Sequence, residues 1–389
     1  MSAAVARHFS QLRDDVSSQL FLKRPHAFSD ADDRDTLAVA LGATLYVPAT
    51  RADLTATIVR RAAEGVCSMV LDLEDAIGDH QVDDALENTV RTLDALAATP
   101  AANVLLFVRI RTPQAIRVIA EALGDGVAAL SGFVIPKFGA ANGAAFLGEV
   151  AAASERLRKR LYSMPVLESS DLVFRERRDD ELRGVSELLW QHRSQVLAVR
   201  IGATDMCGSF GIRRDRDLTI YDVKVVVDVI ADVVNYFGRS DGTGFVITGP
   251  VWEYFADHER MFRPMLRATP FAEHDAVIFR QHLVSRDLDG LLREIALDRA
   301  NGLCGKTVIH PLHVAAVHAL SAVTHEEYQD ALDILGSSAG VQPSGYRNKM
   351  NETQPHQSWA RQTMLRAKVF GVTNTGVSFV DLLTALVTP

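Results

Sequence analysis

Two stretches of the chain end an apolar run in a carboxylate: Leu161-Tyr-Ser-Met-Pro-Val-Leu-Glu168 and Val196-Leu-Ala-Val-Arg-Ile-Gly-Ala-Thr-Asp205. Runs of this kind, bounded by turn residues, read as buried strands. In a parallel α/β protein the carboxyl ends of the strands face the functional surface. Glu168 and Asp205 are therefore expected side by side on one rim. Two convergent carboxylates suit a hard divalent cation such as Mg²⁺, which takes one or two protein carboxylates and keeps its other positions for water and substrate. The plain alternative is a pair of solvated loop acids.

The other strand ends are also polar. Thr50 and Arg51 follow the first, Glu74 and Asp75 the second (in Asp72-Leu-Glu-Asp75), and Arg109 and Arg111 lie at the end of the third. Pro136-Lys137 closes the fourth, Trp252 and Glu253 the seventh, and His310 the eighth. Charges at a barrel mouth need partners or a ligand. Arg109 beside a metal would polarise a carbonyl or grip a carboxylate through its fork, or else form a salt bridge to the nearby acids. Asp72, Glu74 and Asp75 either cap the next helix or support the metal and its waters. Arg51 either binds a phosphate or solvates the start of its helix. Lys137 reads as an ion-pair partner of the mouth acids, and His310 as a structural histidine. Thr324-His-Glu-Glu327 reads as a capped helix start. The chain contains neither a P-loop nor HExxH, so metal-assisted carbonyl chemistry is the simplest reading.

These residues must be positioned by a scaffold. Strand-like runs occur at Thr44–Ala49, Ser68–Leu73, Val104–Ile110, Gly132–Pro136, Leu161–Leu167, Val196–Ala203, Gly244–Val251 and Gly305–Ile309. Helical patterns lie between them, at Asp53–Glu64, Gln81–Ala97, Gln114–Leu123, Ala144–Arg160, Asp179–His192, Thr219–Phe237 and Asp275–Asn301. Eight strands alternating with helices predict an α/β (β/α)₈ TIM barrel. A doubly wound sheet competes, but no G-x-G-x-x-G follows the first strand. The expected organisation is a lead-in over 1–40, amphipathic or partly ordered, a barrel over 41–336, and a loop-plus-helix extension over 337–389. Gly238–Phe271 reads as a decorated loop, and Ser337–Ser358 as a loop or lid before a helix at Trp359–Phe370.

Composition bounds the partners. The 389 residues carry a net charge of −8 with acids and bases interspersed, which argues against nucleic acid or an anionic membrane as partner. Cys67, Cys207 and Cys304 form no CxxC pair, as expected of reduced thiols. Residues 1–25 show no apolar signal core, and no run is long enough to span a bilayer. A cytoplasmic setting and a small-molecule substrate are expected.

Taken in order, the motifs resemble the citrate lyase beta-subunit and malyl-CoA lyase family of Mg²⁺-dependent carbon–carbon lyases, and are most similar to a divergent branch of it. The matching pieces are Leu45-Tyr-Val-Pro-Ala-Thr-Arg-Ala-Asp53, Val70-Leu-Asp-Leu-Glu-Asp-Ala76, Val108-Arg-Ile110, Ile135-Pro-Lys137, Pro165-Val-Leu-Glu168, Ile201-Gly-Ala-Thr-Asp205 and Gly305-Lys-Thr-Val-Ile-His-Pro311. The resemblance implies a (β/α)₈ barrel with a C-terminal extension, commonly trimeric. It implies that Glu168 and Asp205 ligate Mg²⁺, that Glu74 and Asp75 contact its waters, and that Arg109 binds the substrate carbonyl. Arg51, Glu74, Asp75 and Lys137 form the substrate-facing set. It also nominates Glu352, in Asn348-Lys-Met-Asn-Glu352, as a proton-transfer carboxylate reaching a neighbouring subunit, with Asp381 as the alternative. The usual Pro-Gly-x-Arg-Pro is here Pro48-Ala-Thr-Arg-Ala52, Arg111 stands for the usual Asn, and Ser169 for the usual Thr, which leaves the use of an acyl-CoA open. The expected reaction is a retro-aldol or retro-Claisen cleavage, or its reverse, on a 2-oxo acid or hydroxyacyl substrate. A phosphoenolpyruvate-type barrel enzyme and a non-catalytic subunit are the alternatives.

Overall fold

A computed structural model of the chain describes residues 5–99, 103–255, 286–338 and 340–387. The first elements are α1 (Asp14–Leu20), β1 (Phe21–Lys23) and α2 (Arg34–Ala40). The alternation then begins with β2 (Ala43–Pro48), α3 (Leu54–Ala63), β3 (Ser68–Asp72), α4 (Val82–Ala97), β4 (Leu105–Arg109) and α5 (Pro113–Ala122). It continues through β5 (Leu130–Ile135), α6 (Gly143–Leu157), β6 (Tyr162–Leu167), α7 (Ser170–Val173), α8 (Arg175–Gln191) and β7 (Val199–Ile201). Next come α9 (Ala203–Gly208), α10 (Lys224–Phe237), β8 (Ile247–Thr248), α11 (Arg286–Ala300), β9 (Lys306–Val308) and α12 (Leu312–Ser321).

The strands are parallel and ordered β8-β7-β6-β5-β4-β3-β2-β9. Gly249 closes the ring: its N–H donates to the Gly305 carbonyl, and the Thr307 N–H donates to its own carbonyl, both at 3.1 Å. Glycine is required at this seam, since a Cβ on Gly305 (φ +71°) would lie 2.4 Å from the Gly42 carbonyl oxygen. β3, β5 and β6 are buried at every residue. Strands covered by helices outside and by side chains inside have no solvent face, so their sequences are apolar throughout and do not alternate. All eight expected strands form, and the fold is the TIM barrel read from the sequence.

Two expectations are corrected. Residues 5–40, expected as an amphipathic or partly ordered lead-in, are ordered throughout and fold over the foot of the barrel. The α2 face from Thr36 to Ala40 is buried. The His8 ring stacks on Phe370 at 4.2 Å and meets His318 edge-on at 4.5 Å, beside Gly42 at the entry to β2. Ser337–Ser358 is likewise not a plain loop. After α13 (His325–Gly336), capped by Thr324, come an antiparallel hairpin of β10 (Val341–Pro343) and β11 (Met350–Glu352) and then α14 (Thr353–Phe370). Pro355 falls in the first turn of α14, where its missing N–H is no loss. β12 (Val372–Thr373) then pairs antiparallel with β1, and α15 (Phe379–Val387) ends the chain.

Within Gly238–Phe271, residues 256–271 lie outside the described residues, as do 275–285 of the helix expected from Asp275. No helix among the described residues is long and apolar enough to cross a membrane.

Candidate active site

The acidic motif after β3 is organised by two arginines from the end of β4. Arg109 turns its fork onto Asp72, with Nε donating to Oδ1 at 2.6 Å and Nη2 to Oδ2 at 2.5 Å. Its remaining terminal nitrogen, Nη1, lies 3.0 Å from Glu74 Oε2 and 3.3 Å from Asp75 Oδ2. Arg109 thus makes the salt bridge of the plain reading, yet one end of the fork still faces the mouth. Burial works against its charge, but the bonds and field of Asp72, with Glu74 adding, outweigh that and hold it firmly protonated. Arg111 serves the loop: Nε donates to the Leu73 carbonyl at 2.8 Å, and Nη2 to those of Glu74 and Ile77 at 2.8 and 2.9 Å.

Lys137 follows β5 with a left-handed backbone, φ +47°. That turn aims its N–H at Glu168 Oε1, 2.9 Å away, while its Nζ bonds Glu74 and lies 3.5 Å from Asp75. Burial lowers the pKa of Lys137, but Glu74 and Asp75 more than offset this, so it stays charged. The expected ion-pair role is what the geometry shows.

Glu168, the residue after β6, is 5% exposed. It presses so closely on Gly202 that a Cβ there would lie 1.8 Å from its Oε2. Gly202 follows β7 as the cap of α9, so Asp205 sits beyond the strand, in the first turn of that helix. Burial, and then the neighbouring Asp205 charge, push the Glu168 carboxyl up to about 8. Burial and Asp75 also raise Glu74, whereas Asp75 is lowered because its bond to Glu74 and the charges of Arg109 and Lys137 outweigh its own desolvation.

Asp72, Glu74 and Asp75 pair with Arg109 and Lys137. This leaves Glu168 and Asp205 without an ion pair of their own among the described residues, the Arg109 and Lys137 charges acting on them only at longer range. A buried carboxylate raised by a second carboxylate is the environment that a divalent ion would relieve. Among the described residues no three His, Cys, Asp or Glu side chains converge as a metal cage. The protein's share would then be two carboxylates, the small share that Mg²⁺ accepts, unlike a closed zinc site. An open cleft of about 470 Å³ runs alongside, lined by Glu74, Asp75, Arg111 and Lys137 among others.

Other expected residues stand apart. Arg51 is bidentate to Asp53 at 3.0 and 3.1 Å, which is the helix-start alternative and leaves no free fork for a phosphate. His310 stacks on Phe255 at 4.6 Å and accepts the Leu312 N–H at 3.4 Å. Glu253 accepts from the Thr204 hydroxyl at 2.8 Å. Glu352 is exposed at the end of β11, with its backbone N–H donated to His356 Nδ1 at 3.1 Å, on the hairpin and not on the barrel rim. Asp381 caps α15, accepting the Ser378 N–H and hydroxyl at 2.8 Å.

Arg200 was not singled out in the sequence, although a charge inside an apolar strand was visible there. It is buried inside the barrel, bonds Thr307 Oγ1 at 2.6 Å, and has no carboxylate in ion-pair range among the described residues. Tyr46 lies between the two inner arginines, its ring 5.3 Å from Arg109 and 5.6 Å from Arg200.

Residues 35–372 match the family model described as C–C bond lyase of the TIM-barrel fold. No curated protein matches the chain by sequence. Among solved structures, the chain is similar to a citrate lyase from Burkholderia xenovorans LB400, at 16% identity and TM-score 0.59, over 90% of this chain and 96% of that one. It is also similar to the CitE protein of Mycobacterium tuberculosis in complex with magnesium, acetoacetate and coenzyme A, at 18% identity and TM-score 0.51, over 85% and 99%. At these identities the likeness shows a shared fold.

Proposed function

Starting from the chain's membership in the C–C bond lyase family of the TIM-barrel fold, we propose that this carbon–carbon lyase carries out a Mg²⁺-dependent retro-aldol or retro-Claisen cleavage, or its reverse. The substrate is a 2-oxo acid or a hydroxyacyl compound, with acyl-CoA esters among the candidates. The observation that carries the reading is the buried Glu168 at the end of β6 beside Asp205 at the start of α9, without an ion pair of its own among the described residues. The CitE structure holding magnesium, acetoacetate and coenzyme A on a similar barrel supports it.

Bound Mg²⁺ would be held by Glu168 and Asp205 and would supply Lewis-acid polarisation of a substrate oxygen. The chain's own residues do the rest. Asp72 fixes two edges of the Arg109 guanidinium, so the Nη1 edge is aimed in advance at the place where negative charge grows on a substrate oxygen. Glu74 and Asp75 hold that edge in the free enzyme and pass it to the substrate. In the retro-aldol direction the hydroxyl gives up its proton, and its carbon becomes a carbonyl as the C–C electron pair leaves with the other fragment as an enolate. In the retro-Claisen direction water loses a proton as its oxygen adds to the carbonyl carbon, that fragment leaves as a carboxylic acid, and the C–C pair again forms the enolate. In both, a proton returns to the enolate carbon. Glu352, exposed on the β10–β11 hairpin, is the carboxylate for that transfer, reaching the mouth of a second copy in a homotrimer. The 337–389 segment is then an inter-subunit arm.

A panel of 2-oxo acids, hydroxy acids and their CoA thioesters, incubated with Mg²⁺ and followed by mass spectrometry, tests this. Cleavage that needs Mg²⁺ and falls about 100-fold in Arg109→Lys is expected. Cleavage of the same substrate that persists in Glu168→Gln and Asp205→Asn would overturn it.

A further inference from the structure

The molecule has a second cavity, of about 370 Å³, at the opposite end of the barrel. It lies at the foot, where Ile247 opens β8 and Gly305 precedes β9, between α2, the end of α12 and α14. Catalysis on this fold belongs to the other face, so the proposed reaction does not use this cavity.

Its charges are unusual. Five arginines line it (Arg34, Arg193, Arg239, Arg299 and Arg366) against two acids, Asp35 and Asp298. Asp298 is already taken by Lys306 at 2.7 Å, and Asp35 by Arg34 at 2.7 Å. Arg299 and Arg366 share the single carboxylate of Glu327. Arg193 spends its fork on two backbone carbonyls, Thr243 and Gly244, at 3.0 and 2.7 Å. Arg366 Nε is buried with no hydrogen-bond partner. Burial and Arg366 lower Arg299 to about 9, and burial lowers Arg366 to about 10, so both guanidinium groups are short of compensation. The rest of the wall is apolar, including Val39, Leu320, Leu365 and Trp359.

The geometry points to a binding site for a small organic anion that joins one phosphate, sulfonate or carboxylate head to an apolar body, separate from the catalytic mouth. An unpartnered buried Arg366 Nε among five arginines favours an oxyanion, the apolar wall favours a body able to cover it, and the volume is that of a small-ligand site.

The test is a fluorescence titration of the full chain with 1-anilinonaphthalene-8-sulfonate. The controls are N-phenyl-1-naphthylamine, the same body without charge, and inorganic sulfate, the charge without body. Saturable binding of one sulfonate per chain is expected, about tenfold or more tighter than the neutral body. Arg366→Gln and Arg193→Gln should each weaken it about tenfold, Ser321→Trp should block it, and Glu168→Gln should leave it unchanged, with circular dichroism confirming each fold. Competition by phenyl phosphate or by benzoate supports the site and names its head group. Equal binding of the neutral body, or sulfonate binding untouched by Ser321→Trp and both arginine variants, overturns the proposal. So does the absence of saturation up to about 1 mM.

Discussion

Arg109 carries the densest set of contacts at the mouth, and its chemistry is testable one atom at a time. Lysine keeps the charge but not the fork, so Arg109→Lys loses either the Asp72 anchor or the edge facing the substrate. Turnover is expected to fall about 100-fold in kcat/KM, or some 3 kcal/mol, with the fold intact by circular dichroism. Asp72→Asn should act in the same direction through a mispositioned guanidinium, lowering kcat more than it raises KM. At this scale the sequence was legible where a charged residue closed an apolar run, as at Glu168 and Lys137. It was silent on pairing: that Asp72, and not Glu74, takes the Arg109 fork depends on a register between β3 and β4 that sets Asp72 opposite Arg109. Arg200 gave no such signal because it lies within a strand and its contacts run inward to Thr307 and Thr44.

The turns decide whether the strand ends converge. Gly202 is one such turn, and the space above it belongs to Glu168. Gly202→Ala should displace that carboxylate by about an ångström and weaken Mg²⁺ about 100-fold, as small misplacements at a site do. Calorimetry would show it, with thermal stability little changed. Arg111 binds three carbonyls of the Leu73–Ile77 loop. Removing it by Arg111→Ala should cost on the order of 2 kcal/mol, read as a lower unfolding midpoint in urea. The long strands were easy to read because a strand buried on both faces is apolar throughout. β7 and β8 are only three and two residues long, and their sequence predicts longer strands, because apolar neighbours such as Leu197 and Ala198 are buried without belonging to a regular strand. That is why Asp205, expected to close a strand, opens a short helix. The hairpin before α14 gave no signal because its strands are polar and exposed in part.

At the scale of the whole molecule, the foot of the barrel depends on contacts that no local pattern announces. Phe21 pairs with Thr373 from the far end of the chain, and His8 and His318 meet beneath β2. Burial holds His318 down to about 3 and His313 to about 4, and burial with His318 lowers His8. These groups bind protons more readily unfolded than folded. Their contribution is therefore full above the unfolded value of about 6.5 and is lost as pH falls from there toward 3, by roughly 1.4 kcal/mol per unit for each histidine. The carboxyl of Glu168 opposes the trend, so the readout is a difference: unfolding midpoints between pH 7.5 and 5 should fall more steeply for the parent than for His318→Gln. If Glu352 serves a neighbouring subunit, Glu352→Gln and Glu168→Gln are each inactive, while co-assembled mixtures recover part of the activity. No recovery would place the proton donor within the chain. The central claim, that Glu168 and Asp205 jointly hold Mg²⁺, is tested most directly by titrating Mg²⁺ calorimetrically into the parent, Glu168→Gln and Asp205→Asn. The account predicts one site in the parent and no measurable binding in either variant, whereas parent-like affinity in both variants would contradict it.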